Sequence, residues 1–106
     1  MKQQKSDPFY AIADPKRREI LMLLSNDSLP INDLADNFDI SRPAVSKHIK
    51  VLQTANFISI KNIGRKRYCL LNQDGFNQLQ QWINYFDNFW ETKLQKLEKL
   101  LDEKSS

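Results

Sequence analysis

At 106 residues, 41% hydrophobic and 27% charged, the chain can bury one modest core and not two. It has no apolar run near the roughly 20 residues that span a bilayer, no secretory pattern in its opening MKQQKSDPFY, and a single cysteine, Cys69. Membrane insertion, secretion, an internal disulfide and a cysteine metal cluster are therefore not expected, the expected compartment is the cytoplasm, and the chain is read as one domain over residues 1–106.

Asp7-Pro8 and Asp14-Pro15 are two pairs of an N-cap residue followed by a first-turn proline, seven residues apart. They predict a short helix, PFYAIA, and a second, PKRREILMLLSN, whose Ile20, Leu21, Leu23 and Leu24 are apolar. Arg17 and Arg18 lie in the first turn of the second helix, where cations oppose the macrodipole, so a phosphate contact and a purely structural role are equally open. Asn26, Asp27, Ser28 and Pro30 form the connection to the next element.

Residues 31–54 read as two helices joined by a tight turn. Ile31, Leu34, Ala35 and Phe38 share one face, with Asp33, Asp36 and Asn37 outside it. Asp39 and Ile40 make the turn. Ser41 is an N-cap, Pro43 suits a first turn, and Val45, Ile49 and Leu52 form a buried stripe. The other side and leading end of this helix, residues 41–54, carry Ser41, Arg42, Pro43, Ser46, Lys47 and Lys50, with His48 at the edge. Short hydroxyls and cations of this kind donate to phosphates and read base edges in a major groove.

Asn56 suits the left-handed conformation that ends a helix. FISIK and RYCLL, joined by a turn at Asn62-Ile63-Gly64-Arg65, predict a two-stranded hairpin over residues 57–71. With Lys61, Arg65, Lys66 and Arg67 near its tip, it is a wing that can reach phosphates beside the helix. Tyr68 and Cys69 read as packing residues. Asn72 to Gly75 breaks the pattern, and residues from about 74 to 104 read as one helix of roughly 45 Å, longer than so small a domain needs for itself. Trp82, Tyr85, Phe86, Phe89 and Trp90 give it more apolar surface than its own core requires. One side is expected on Phe9, Ile12 and the core, and the rest on the same helix of a second chain, through Phe86, Phe89, Trp90, Leu94, Leu97 and Leu101.

Charge sharpens the functional reading. Residues 1–40 carry five Lys/Arg against seven Asp/Glu and residues 74–106 four against six, each net −2. Residues 41–73 carry Arg42, Lys47, Lys50, Lys61, Arg65, Lys66 and Arg67 with no acid, net +7. So confined a positive field is the footprint of a polyanion-binding surface. One histidine, one cysteine and two glycines leave no nucleophile–base pair and no phosphate-cradling loop, which argues against an enzyme. The alternative is a winged helix that docks proteins through its aromatic last helix, but such a module has no need for the acid-free block.

Two segments carry a family resemblance. Ala13-Asp14-Pro15-Lys16-Arg17-Arg18-Glu19-Ile20-Leu21 is similar to the opening "ADPTRREIL" of the ArsR-type (arsenic-repressor-like) regulators. The run Ile40-Ser41-Arg42-Pro43-Ala44-Val45-Ser46-Lys47-His48-Ile49-Lys50-Val51-Leu52 resembles their recognition helix "SRPAVSKHLKVL". The resemblance implies a mainly α winged helix: helix, helix, helix-turn-helix, wing and long C-terminal helix. It also implies a homodimer joined through its first and last helices that binds an inverted repeat in promoter DNA and blocks transcription. Ser41, Arg42, Pro43, Ser46, Lys47 and His48 would face the groove, and residues 65–68 would form the wing.

Metal-sensing members of that family carry a Cys-x-Cys pair on the first helix of the helix-turn-helix, or Asp, His and Glu ligands on the last helix. Here the first place reads Asn32-Asp33-Leu34-Ala35-Asp36, and the last helix has no histidine. Asp87 and Glu91 fit a solvated helix surface better than a transition-metal site. The chain is therefore expected to need no metal or other cofactor, its inducer being a small molecule, a partner protein or none.

Overall fold

The computed structural model describes residues 7–105, with side chains through Glu103. The reading of the opening segment as no secretory signal falls partly on residues 1–6, outside the described residues. Helix α1 (Pro8–Ile12) and helix α2 (Pro15–Leu24) begin at the two Asp-Pro pairs. Asp7 Oδ1 accepts from the Phe9 N–H at 3.0 Å and Asp14 Oδ1 from the Lys16 N–H at 2.7 Å, so each aspartate satisfies a donor that its helix cannot. Then come strand β1 (Leu29–Pro30), helix α3 (Ile31–Ala35), helix α4 (Arg42–Thr54), strands β2 (Ile58–Ile63) and β3 (Lys66–Leu71), and helix α5 (Gln73–Ser105).

The strands form one antiparallel sheet in the order β1-β3-β2, where sequence reasoning expected two strands. Leu29 pairs with Cys69 and Pro30 with Tyr68. Pro30 is tolerated because β1 is an edge, where a missing N–H breaks no ladder. The hairpin turn is tighter than expected. Ile63 pairs with Lys66, leaving only Gly64 and Arg65 between the strands, and Gly64 supplies the positive φ (62°) that such a turn needs.

Helix α3 is also shorter than its apolar spacing predicts, closing at Ala35 instead of reaching Phe38. Asn37 Nδ2 donates to the Asp33 carbonyl at 2.9 Å and the Phe38 N–H to Ala35 at 3.2 Å. Side-chain capture of this kind ends short helices rich in Asp and Asn. Phe38 still packs half-buried on the core.

That core gathers Ile20, Leu21 and Leu24 of α2, Leu34 of α3, Val45, Ile49 and Leu52 of α4, and Phe57, Ile58 and Cys69 of the wing. Asn56 has φ 63°, and the chain reverses there as expected. Helix α5 enters the core only at its start, where Phe76 meets Phe57 edge to face at 4.9 Å. Further along, Phe9 of α1 meets Trp82 at 5.2 Å. From Trp82 to Leu101 every large apolar side chain of α5 is at least 38% exposed. Among the described residues no helix is long and apolar enough to cross a membrane.

Candidate nucleic-acid interface

Helix α4 is built as its sequence dictates. Ser41 Oγ accepts from the Ala44 N–H at 3.3 Å, Pro43 lies in the first turn, and Thr54 Oγ1 donates to the Lys50 carbonyl at 2.8 Å near the end. With Val45, Ile49 and Leu52 buried, Ser41, Arg42, Pro43, Ser46, Lys47 and Lys50 are left exposed. Arg42 comes within 3.9 Å of Asp36, but both side chains are about 70% exposed, so the pair is weak and Arg42 stays available.

Arg65, Lys66 and Arg67 are exposed at the end of the hairpin. Ser46, Ile49, Lys50 and Gln53 of α4 face Ile60 of β2 and Arg67 of β3 across an open groove. A second groove sets Arg65, Lys66 and Arg67 against Asn32 and Asp33 of α3. Helix α4 and the β2–β3 hairpin therefore share one basic surface, with Arg67 in both grooves. Gln53 belongs to this surface and sequence reasoning did not single it out. Its spacing from Ser46 and Lys50, seven and three residues, was the available signal.

Arg17 and Arg18, whose role the sequence left open between phosphate and structure, point to helix α1. Arg17 is buried: its Nε donates to the Ala11 carbonyl at 2.6 Å and its Nη2 to the Tyr10 carbonyl at 3.0 Å. Arg18 Nη1 donates to the Ile12 carbonyl at 2.7 Å. Both guanidinium groups thus sit on the C-terminal carbonyls of α1, where a cation is favoured, which resolves their unfavourable place at the start of α2. His48 is half-buried on the flank of α4, its Nδ1 3.3 Å from Arg17 Nη1. A guanidinium has no acceptor, so in this contact Arg17 is the donor and Nδ1 the acceptor.

Burial on its own raises the Asp14 carboxyl, but the backbone N–H groups of Lys16 and Arg17 and the Arg17 charge outweigh it and hold the group below its ordinary value. Among the described residues no three His, Cys, Asp or Glu side chains come together as a metal site, and Asp87 and Glu91 lie exposed on α5.

Residues 14–59 match the family of bacterial regulatory proteins of the arsR type. The chain is 40% identical over 84 residues to the transcriptional repressor SdpR of Bacillus subtilis, covering 76% of this chain and 93% of that protein. It is 35% identical over 94 residues to the HTH-type transcriptional regulator Rv2034 of Mycobacterium tuberculosis, covering 89% and 85%. The crystal structure of an ArsR family transcriptional regulator superposes with a TM-score of 0.75 at 32% identity, covering 84% of this chain and 98% of that one. With this basic surface on this fold, the chain belongs to the ArsR family of winged helix-turn-helix transcriptional regulators, DNA-binding proteins and not enzymes.

Proposed function

We propose that the protein is a homodimeric repressor that binds an inverted-repeat operator through α4 and the β2–β3 wing, without a metal effector. The observation that carries this reading is the joint exposure of Arg42, Lys47 and Lys50 on α4 and Arg65, Lys66 and Arg67 on the wing, within a segment holding no acid. Cations release counterions from phosphates, while Ser46 and Arg42 suit base edges. His48 adds a donor beside them, and Ser41 and Pro43 fix the helix start that approaches the groove.

The dimer rests on α5. Ten large apolar side chains between Trp82 and Leu101 are exposed by 38–69%. So long an apolar face is more than a monomer usually leaves to water. Phe86, Phe89, Trp90, Leu94, Leu97 and Leu101 supply the proposed seam, with α1 beside it through Phe9 and Trp82. Twofold symmetry then sets two copies of α4 about 34 Å apart, one turn of the duplex. A regulator acting on promoters works in the cytoplasm.

A footprint on the DNA upstream of the protein's own gene tests the reading. The expected pattern is two protected half-sites one helical turn apart, unchanged by a metal chelator. A single protected site, or protection that zinc abolishes at stoichiometric amounts, refutes it.

A further inference from the structure

A buried guanidinium lies behind the DNA-reading helix, and nothing in the family assignment requires it to act on DNA. Arg17 is 8% exposed and its nitrogens reach three elements: the Ala11 and Tyr10 carbonyls of α1, Asp14 at the start of α2 (3.7 Å), and His48 of α4 (3.3 Å). Its Cζ also lies 5.2 Å from the centre of the Tyr10 ring. A lysine, with one nitrogen, cannot occupy all of these positions. The His48 ring belongs to a shallow surface cleft shared with Tyr10, Lys47, Lys50 and Thr54, beside the cations assigned to phosphate.

We propose that Arg17 is a positioning residue for operator recognition: by donating to His48 Nδ1 it fixes the ring with Nε2–H as its donor and ties α4 to α1. Helix α1 in turn sets Phe9 edge to face against Trp82, at the start of the apolar face of α5. Arg17 therefore sets how the reading helix stands relative to the proposed twofold interface, and to that extent the inference rests on the dimeric reading. An operator with two half-sites at fixed spacing is sensitive to that placement. Random duplex, held mainly by phosphate contacts, is much less so.

His48 is the chain's one histidine, so its ring nitrogens give a single pair of NMR signals. In the free wild-type protein the expected spectrum has Nε2 protonated and Nδ1 bare. A spectrum dominated by the Nδ1–H tautomer overturns the proposal without reference to DNA. On DNA, Arg17→Lys is expected to weaken operator binding about tenfold, the scale of one charge-assisted hydrogen bond, and random-duplex binding by less than about twofold. In a His48→Ala background, Arg17→Lys should add almost nothing, because the contact it removes is already gone.

Equal losses on both duplexes, or an Arg17→Lys loss of the same size with and without His48, overturn the proposal. Should Arg17→Lys not fold, His48→Asn and His48→Ala decide. The Asn amide oxygen can stand near Nδ1 and keep the Arg17 contact, so His48→Asn should bind operator more tightly than His48→Ala, and equal binding overturns the proposal. Failure of the dimeric-repressor reading is seen separately, as wild-type protein without operator preference.

Discussion

The ring of Phe57 stands against Gly75 so closely that a Cβ there would lie 2.8 Å from Phe57 Cδ1 and 2.9 Å from the Ala55 carbonyl oxygen. The same glycine donates its N–H to the Asn56 carbonyl at 2.8 Å, and Asn72 donates to that of Phe57, also at 2.8 Å. The first turn of α5 is thus seated directly on the loop that ends α4. Helix α4 and the proposed dimerisation helix meet at this one joint, made possible by the absence of a side chain.

Gly75→Ala should for this reason run against helix propensity. In an open helix the change gains up to about 1 kcal/mol. Here it overpacks a backbone oxygen and a buried ring, at a cost of about 1–3 kcal/mol. The melting temperature should drop by several degrees, and a rise on thermal unfolding contradicts the packing described.

What sequence could disclose tracks the range of the interactions. The Asp7 and Asp14 caps, the Ser41 cap, the buried stripe of α4 and the reversal at Asn56 were all legible, because each depends on residues within one or two turns. Strand β1 was not, since Leu29 becomes a strand only by pairing with Cys69, forty residues on. Gly75 reads as a helix break in sequence and is a packing site in space, because its reason lies in Phe57. The cations of the basic surface were visible as an acid-free run. Arg17 belonged by type to that set, but its partners at Ala11 and His48, six and 31 residues away, turn it inward.

Helix α5 leads to a prediction about assembly. Trp90 is 58% and Leu97 53% exposed in the single chain, so an aspartate at either position meets water and should not unfold the monomer. In a dimer the same change buries a carboxylate against apolar side chains, which is strongly unfavourable. Trp90→Asp and Leu97→Asp should therefore sediment as monomers with wild-type circular dichroism and lose operator binding. An unchanged sedimentation coefficient removes this seam from consideration.

On the proposed DNA face the two sets of residues should separate. Arg42→Ala and Ser46→Ala remove groups proposed to meet base edges, so they should weaken operator binding more than binding to random duplex. Lys66→Ala removes a wing cation. It should weaken both alike and lower the slope of log affinity against log salt by about 1. Titrations at several salt concentrations on the two duplexes check this, and identical behaviour of all three variants refutes the division.

Cys69 offers a check on the core under the wing. It is fully buried on β3 at the pairing with Leu29, and burial pushes its thiol up to about 11, the nearby Arg67 charge offsetting little of this. Because the folded value lies above the unfolded one, the neutral thiol contributes stability that is complete below the unfolded value near 9.0 and is lost as pH rises towards 11. In urea unfolding, the stability advantage of wild type over Cys69→Ala should shrink across that window. At pH 8, iodoacetamide should modify the native protein only as fast as it opens, far more slowly than the unfolded chain, because the thiolate is the reactive form. Labelling at the rate of a free thiol would place Cys69 outside the core and undo the pairing of β1 with β3.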